Sequence, residues 1–233
     1  MLPRLEKLAL DNNMLTGSLS MMELDQTHYL KVLSLSNNRI EGTLPSNMGV
    51  KHRETIQHLY LDGNHLNGDL PAEWSVMTDL KSLALRDNHF SGSIPNQWEH
   101  LSSLTYLTLG NNMLYGTMPK MFTNLINLKV LDVGGNDLNG TLENSMIRNW
   151  TYATHIYMQS NFFHGTIAKE FSELKDLQSL FLFDNNFSGT IPTSICNRTT
   201  TESHLHLWVD CDSNAVEPNN VPKVQCECCT MCF

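Results

Sequence analysis

The sequence predicts an α/β solenoid, in which short strands and turns stack coil upon coil. An asparagine recurs every 24 to 26 residues, a glycine follows each one after four residues, and the pattern LxxLxL precedes it. The asparagines are Asn13, Asn38, Asn64, Asn88, Asn112, Asn136, Asn161 and Asn185. The glycines are Gly17, Gly42, Gly68, Gly92, Gly116, Gly140, Gly165 and Gly189. A fixed period of this length is typical of a repeat architecture, whose core lies between neighbouring coils.

Each position of the repeat has a physical role. The pattern LxxLxL predicts a short strand whose leucines point inward while the intervening residues face solvent. The asparagine amide can bond backbone groups where the chain leaves the strand, so stacked copies should form a ladder. The glycine allows a backbone conformation or a close approach that a side chain would block. Large apolar residues later in each repeat should fill the core: Met48, Trp74, Trp98, Phe122, Met146, Phe171 and Ile195.

The end of the repeat carries a resemblance to a known family. With GSIP at residues 92–95 and GTIP at residues 189–192, it resembles the plant-type leucine-rich repeat, over residues 2 to about 195. The resemblance implies a right-handed leucine-rich-repeat superhelix with a concave parallel β-sheet, a second short strand per repeat, and short convex 3-10 or helical turns. Ser20, Glu143 and Ala168 replace the proline of the other repeats. These departures are expected to loosen the second sheet locally.

The two ends of the repeat array differ. Residues 1–195 hold eight repeats, the first of them incomplete, because Leu2 and Leu5 already fit the leucine positions of a repeat. An uncapped solenoid exposes its core. Since neither a cap nor a signal peptide precedes the first coil, Met1 is expected to be an internal methionine of a longer protein. Residues 196–233 are predicted to form a separate, disulfide-rich C-terminal cap.

All six cysteines lie in this C-terminal segment: Cys196, Cys211, Cys226, Cys228, Cys229 and Cys232. An even number at an end that needs covering favours three disulfides. A zinc site at residues 226–232 is an alternative, although CxCCxxC lacks the two separated CxxC pairs of ordinary zinc sites. A redox site at residues 229–232 is another, without a βαβ context. The pairing stays open, but the adjacent Cys228 and Cys229 are expected to bond elsewhere rather than to each other.

The tail also bears on the compartment. The sequence VQCECCTMC resembles the ending of secreted or surface leucine-rich-repeat proteins of diatoms, over about the last 40 residues. Disulfides persist in oxidising compartments. Four N-x-[ST] sequons agree with passage through the secretory pathway; they begin at Asn139, Asn149, Asn186 and Asn197. We therefore expect a glycosylated protein that is secreted or held at the cell surface.

Composition and motifs argue against several functional classes. The formal net charge of −9 disfavours a nucleic-acid binder, which would need a basic face. No apolar stretch approaches the roughly 20 residues of a membrane span. The chain has no P-loop, no HExxH and no GxSxG motif, and its ten histidines are scattered. We therefore expect no enzymatic activity, no cofactor and no metal. The sequence makes no prediction about oligomeric state.

The solvent side of the concave sheet is the surface that the sequence offers to a ligand. Rigid aromatic side chains gain contact area at a small entropic cost, and they gather in the C-terminal coils. The predicted binding residues are Tyr60, Tyr106, Asp132, Tyr157, Phe162, Phe181, Phe183 and Trp208. Gly110 and Gly134 are expected to leave a shallow trough, and Trp208 has the alternative role of packing under the cap. Aspartates along this surface favour a basic or hydroxyl-rich partner.

Together these features predict a non-enzymatic recognition ectodomain that binds a protein, a peptide or a polysaccharide on its concave or lateral surface. The plant-type resemblance implies receptor ectodomains and extracellular inhibitors of cell-wall enzymes, without selecting between them. A structural or adhesive cell-surface component is an alternative. A lattice-binding surface of the ice-binding kind is a further alternative. It is suggested by the short polar residues that follow the motif glycines: Ser18, Thr43, Asp69, Ser93, Thr117, Thr141, Thr166 and Thr190.

Overall fold

The computed structural model describes residues 4–19, 27–200, 205–210, 224–226 and 228–232, with the backbone alone at residues 50, 200 and 232. Within these ranges the chain winds as a solenoid. Strands numbered in chain order alternate between two sides, so odd-numbered strands form a main sheet and even-numbered strands form a lateral one. Short helices lie between each lateral strand and the next main-sheet strand in most coils.

The main sheet has ten parallel strands in chain order. They are β1 (Lys7–Ala9), β3 (Val32–Ser34), β5 (His58–Tyr60), β7 (Ser82–Ala84), β9 (Tyr106–Thr108), β11 (Val130–Asp132), β13 (His155–Tyr157), β15 (Ser179–Phe181), β17 (His206–Val209) and β19 (Met231–Cys232). The register places leucine over leucine, so that Leu83 pairs with Leu59 and Leu107. All three are fully buried. The residues on either side of each leucine point away from the core by the period of two.

The lateral strands form one four-stranded and one five-stranded parallel sheet. The first comprises β2 (Thr16–Ser18), β4 (Arg39–Thr43), β6 (His65–Asp69) and β8 (His89–Ser91). The second comprises β10 (Tyr115–Thr117), β12 (Asp137–Gly140), β14 (Phe162–Thr166), β16 (Asn186–Thr190) and β18 (Val224–Gln225). The break between them falls after β8, in coils that retain proline at Pro95 and Pro119.

The prediction that missing prolines loosen the lateral sheet is wrong at Glu143 and Ala168. Strands β12 and β14, which precede these residues, pair with each other and with both outer neighbours. Glu143 (φ −73°, ψ 130°) and Ala168 (φ −71°, ψ 132°) adopt the backbone that Pro95 adopts (φ −66°, ψ 126°). Proline restricts φ to this region, but other residues reach it without strain, so pairing survives. Ser20, the third departure, lies outside the described residues.

The short helices close each coil over a large apolar side chain. They are α1 (Asn47–Lys51), α2 (Asn144–Asn149), α3 (Thr193–Thr200) and the 3-10 helices Ala72–Val76, Asn96–His100, Lys120–Thr123 and Lys169–Glu173. All seven predicted core residues, from Met48 to Ile195, are buried. Trp74 and Trp98 also donate their indole N–H to carbonyls of the preceding coil, so these rings are both packed and hydrogen-bonded.

The repeated asparagines form a ladder between coils. The Oδ1 of Asn136 accepts the backbone N–H of Leu114 in the preceding coil at 3.0 Å. Its Nδ2 donates to the carbonyls of Leu109 and Val133, both at 3.1 Å. The same arrangement recurs in the other coils from Asn38 onward. Each amide thus satisfies backbone groups that strand pairing leaves without a partner.

The C-terminal segment continues the sheets. Leu205, just before strand β17, is buried together with Leu207 and Val209 of that strand, and β19 adds one more strand beside it. In the last asparagine-bearing coil, the backbone N–H groups of Asp184 and Asn185 donate to the carboxylate of Asp210 at 2.6 and 3.0 Å. In inner coils the equivalent N–H groups donate to backbone carbonyls of the next coil. In this coil the carboxylate of Asp210 takes the place of those carbonyls.

Candidate functional site

Four aromatic side chains on the solvent side of the main sheet form a contiguous layer, termed the aromatic slab: Tyr157, Phe181, Phe183 and Trp208. The rings of Phe181 and Trp208 stack with their centroids 4.2 Å apart and their planes 7° from parallel. The ring of Tyr157 lies 4.9 Å from that of Phe181. Phe183 lies 6.4 Å from Phe181 and 6.0 Å from Trp208. The four half-buried rings thus present one continuous apolar surface.

Strand register assembles the slab. Tyr157, Phe181 and Trp208 occupy equivalent positions on three successive strands, β13, β15 and β17. Neighbouring strands lie about 4.8 Å apart, so equivalent side chains meet ring to ring. Phe183 follows Phe181 by two residues and therefore points to the same side. Trp208 thus lies in the row of outward-facing residues and stacks on Phe181. This contact places Trp208 on the surface that was predicted to bind a ligand.

Phe162 does not belong to the slab. It lies in β14 of the lateral sheet, where its register partner is Asn139, and it is 52% exposed. Phe162 directly follows the ladder residue Asn161, where the chain has already turned out of the main sheet. The prediction that Phe162 shares a surface with Tyr157 is therefore wrong.

Asp132 is buried rather than presented to solvent. It is 3% exposed, and its carboxylate pairs with the guanidinium of Arg86, which comes from a strand end two coils earlier. Its Oδ1 also accepts the backbone N–H of Gly134 at 3.0 Å. The prediction of Asp132 as an exposed binding residue is corrected accordingly: it anchors Arg86, whose side chain remains 37% exposed.

Arg86 and Asp132 form, with Asp62 and Tyr106, a second feature of the same face, termed the charged cluster. The Oδ1 of Asp62 accepts the backbone N–H of Arg86 at 3.0 Å and the hydroxyl of Thr108 at 3.4 Å. In the part of the chain that the structure describes, no cationic side chain pairs with Asp62. The cluster occupies the middle of the sheet, on the N-terminal side of the slab. Tyr60, on β5, precedes Asp62 by two residues, and its ring stacks on that of His58.

The electrostatics of the cluster follow from partial burial. Burial raises the pKa of Asp62, because it outweighs the hydrogen bonds that favour the charged form. Burial likewise raises the pKa of Asp132, against the attraction of Arg86. The pKa of Tyr106 is raised by burial and then by the charge of Asp62. For Arg86 burial acts to lower the pKa, but Asp132 and Asp87 outweigh it, so the net shift is upward and the guanidinium stays charged.

Two glycines allow this arrangement. A Cβ on Gly110 would lie 2.7 Å from Oδ1 of Asp132, and one on Gly134 would lie 2.3 Å from Nε2 of Gln159. The expected trough is therefore filled by neighbouring side chains, and both glycines are buried. Sequence reasoning missed Arg86. The available signal was an outward arginine two coils before an outward aspartate, with a glycine in the coil between them.

The cysteines that the structure describes form disulfides. Cys196 bonds Cys228, and Cys226 bonds Cys229. The expectation that the adjacent Cys228 and Cys229 bond elsewhere is confirmed. These bonds engage three of the four thiols that a zinc site would need, and the Cys196–Cys228 bond ties helix α3 to the tail. Cys211 lies outside the described residues, and Cys232 is described in its backbone alone, so a third disulfide stays a prediction.

Comparison with known proteins agrees with the repeat. Family profiles described as leucine rich repeat match residues 54–114, 29–50 and 176–198. The fold is a leucine-rich-repeat solenoid. The predicted fold class is thereby confirmed, with long parallel sheets, short 3-10 turns and C-terminal disulfides. Within the described ranges, no helix of this solenoid has the length and apolar character to cross a bilayer.

The relatives of this leucine-rich-repeat chain include plant receptors. Receptor-like protein 9b of Arabidopsis thaliana is 40% identical over 81 residues, which are 34% of this chain. The matched segments span only 8% to 10% of the length of the curated relatives. The Arabidopsis receptor kinase HAESA, solved with the peptide hormone IDA and the co-receptor SERK1, is 34% identical with a TM-score of 0.74. That match covers 82% of this chain and 31% of HAESA.

A plant ice-binding protein is also similar in structure. It is 26% identical with a TM-score of 0.64, and the match covers 82% of this chain and 68% of that protein. This leucine-rich-repeat chain is thus similar to proteins of different functions, and the choice between them depends on its own surfaces. The resemblance of the tail to diatom proteins stays a prediction.

Proposed function

We propose that this chain is a non-enzymatic recognition module that binds an extended peptide along the solvent side of its main sheet. The observation that carries the proposal is the aromatic slab, four touching rings beside a charged cluster on one continuous parallel sheet. The receptor HAESA, a structural relative, was solved with a peptide hormone. That likeness supports a peptide over the protein and polysaccharide ligands that the sequence also allowed.

The slab has the physical properties of a binding hot spot. Its rings are held by strand register and by one another, so a ligand that covers them loses little side-chain entropy on the protein side. Aromatic side chains dominate interface energetics because each one buries a large apolar area. The predicted anchor residues for an apolar ligand side chain are Tyr157, Phe181 and Trp208.

The charged cluster supplies the expected specificity. Asp62 carries a carboxylate whose neighbours are hydrogen-bond donors rather than a cation. A ligand lysine or arginine near Asp62 would neutralise this partly buried charge and would favour its ionised form. The proposed peptide therefore combines an apolar residue over the slab with a basic residue toward the cluster.

The compartment and the domain division are part of the proposal. Disulfides such as Cys196–Cys228 persist in oxidising surroundings, and a similar solved chain of the plant receptor HAESA is described as an ectodomain. We infer that residues 1–195 are the recognition array and that residues 196–233 act as its cap, in a secreted or cell-surface protein of receptor-like or inhibitor-like role.

The test begins with selection of random linear peptides on the oxidised full-length chain. Selected peptides should bind saturably and should be enriched in aromatic or aliphatic residues together with lysine or arginine. Phe181→Ala and Tyr157→Ala should each raise the dissociation constant of the peptide roughly 10- to 100-fold. The matched control is Tyr152→Ala, which removes an exposed tyrosine away from the main-sheet strands. It should change the constant less than about twofold.

The alternatives give different results. Peptides whose affinity is unchanged in both slab variants would move the site elsewhere and refute the proposal. Saturable binding on a polysaccharide array, without peptide binding, would point to a glycan ligand. A chain that captures neither class would fit a structural or adhesive role.

We propose lattice binding by the lateral sheet as a second candidate function. Its motivating observation is a column of exposed threonines at coil spacing, Thr117, Thr141, Thr166 and Thr190, together with the likeness to a plant ice-binding protein. Ice-recrystallisation rates measured with the wild-type chain should then fall below those in buffer. Thr141→Lys should restore them, because it breaks the regular hydroxyl spacing. Rates equal to buffer for the wild type would reject this function.

A further inference from the structure

Two exposed aromatic rings on the lateral sheet have no role in the main-sheet site. Tyr115, on β10, is 57% exposed, and Phe162, on β14, is 52% exposed. Both side chains point outward from neighbouring regions of one sheet, with β12 between their strands. Exposed apolar groups that share one surface can form a patch that contacts another group.

Asn139 lies between these two rings. It is on β12, its register partner on β14 is Phe162, and its partner on β10 is Thr117, two residues beyond Tyr115. The Asn139 side chain is exposed, and its amide makes no hydrogen bond within the described part of the chain. Asn139 also opens the sequon Asn139-Gly140-Thr141, in which the threonine is exposed too.

We propose that Asn139 carries an N-linked glycan whose first sugar ring packs on Phe162, with Tyr115 on its other flank. In the covalent step, Nδ2 of Asn139 attacks C1 of an oligosaccharide carried on a lipid diphosphate. The N–C1 bond forms as the C1–O bond breaks. The lipid diphosphate leaves with the electron pair, and one amide proton passes to a base. The glycan-transferring enzyme of the secretory pathway supplies the catalysis and the donor.

The geometry favours this contact. Strands β12 and β14 are about 4.8 Å apart, so a sugar ring attached to Asn139 begins beside the ring of Phe162. One face of a pyranose ring presents only C–H groups, which pack on an aromatic face as other apolar groups do. Attachment to Asn139 places the sugar next to Phe162 without the entropic cost of free association.

The sequons at Asn186 and Asn149 lack this arrangement. Asn186 has His164 as its register partner, and the phenylalanine inside its sequon, Phe187, is buried. Asn149 donates its amide to the carbonyl of Thr123 at 2.8 Å. Among these three sequon asparagines, Asn139 is the one whose register partner is an exposed phenylalanine. A glycan there would cover the lateral sheet, leave the aromatic slab open, and interrupt the threonine column that lattice binding requires.

The experiment uses the full chain secreted from glycosylating eukaryotic cells and trimmed to one N-acetylglucosamine per site. Peptide mass spectrometry should find Asn139 occupied. Thermal unfolding is then compared for wild type, Asn139→Gln, Phe162→Ala and the double variant. Phe162→Ala should lower the Tm of the glycosylated chain by about 2–4 °C more than that of the Asn139→Gln chain, since one such contact shifts Tm by this amount in a domain of this size.

Two controls keep the outcome clear. Tyr29→Ala removes a tyrosine that is 57% exposed, far from Asn139 in the repeat order, and it should shift the Tm equally in both backgrounds. Phe162 is a surface residue, so its variant is expected to fold, which circular dichroism checks. An unoccupied Asn139, or equal Tm shifts from Phe162→Ala with and without the glycan, would overturn the proposal.

Discussion

The asparagine ladder makes a quantitative prediction at Asn136. Replacement by alanine removes the acceptor of the Leu114 N–H and the donor to the carbonyls of Leu109 and Val133. Each of these carbonyls keeps a second amide donor, from Asn112 and Asn161 respectively. The buried Leu114 N–H is therefore the group left without a partner. An orphaned buried donor costs about 1–3 kcal/mol, so Asn136→Ala should lower the free energy of unfolding by about 2–4 kcal/mol with the shared bonds included.

The assay is urea unfolding of the oxidised chain, followed by tryptophan fluorescence. The matched control is Asn13→Ala, at the same motif position. Among the described residues, Asn13 is exposed and bonds only the carbonyls of Leu10 and Asp11 in its own coil, so its replacement should cost below about 1 kcal/mol. Hydrogen exchange gives a local readout, since the amide of Leu114 should exchange at least about tenfold faster in Asn136→Ala.

Equal costs for the two variants would refute the reasoning. Such a result would mean that water or a backbone shift satisfies the Leu114 N–H once the side chain is gone. Unchanged exchange at Leu114 would lead to the same conclusion independently of global stability. An unchanged slope of free energy against urea is required for the comparison, because a changed slope reports a different extent of unfolding.

Three further predictions concern charge, backbone and thiols. Asp62→Asn should raise the urea midpoint at pH 7, because burial raises the folded pKa of Asp62 and its ionised form therefore lowers stability; the gain should shrink as the pH falls toward about 4. Ser160 has φ +55°, a left-handed backbone that glycine adopts more easily than serine and that valine adopts less easily. Ser160→Gly should therefore raise the free energy of unfolding by up to about 1 kcal/mol, and Ser160→Val should lower it by about 1 kcal/mol, both measured from urea midpoints. Alkylation before reduction should label no thiol, and peptide mapping should join Cys211 to Cys232; a labelled thiol would contradict three disulfides.

Much of the main-sheet surface could be predicted because contacts in a solenoid repeat at a fixed sequence interval. Tyr157 and Phe181 are 24 residues apart, as their strands are, so the sequence period alone brings their rings together. The prediction failed at Phe162 because this residue follows the ladder asparagine Asn161, where the chain has already left the main sheet and entered the lateral one. It failed at Asp132 because exposure depends on which neighbours cover a side chain, and Arg86 reaches it from two coils away.

The sequence by itself determined the solenoid, the inward leucines, the asparagine positions and the clustering of cysteines at one end, because each of these follows from a local pattern repeated along the chain. Only the tertiary structure decided the pairing of Cys196 with Cys228, the burial of Asp132 under Arg86, and the placement of Phe162 beside Asn139. These depend on side-chain reach and on small residues such as Gly110 that leave room for it. A repeat period specifies which coils are neighbours, whereas the contacts between particular side chains depend on the space that those neighbours leave.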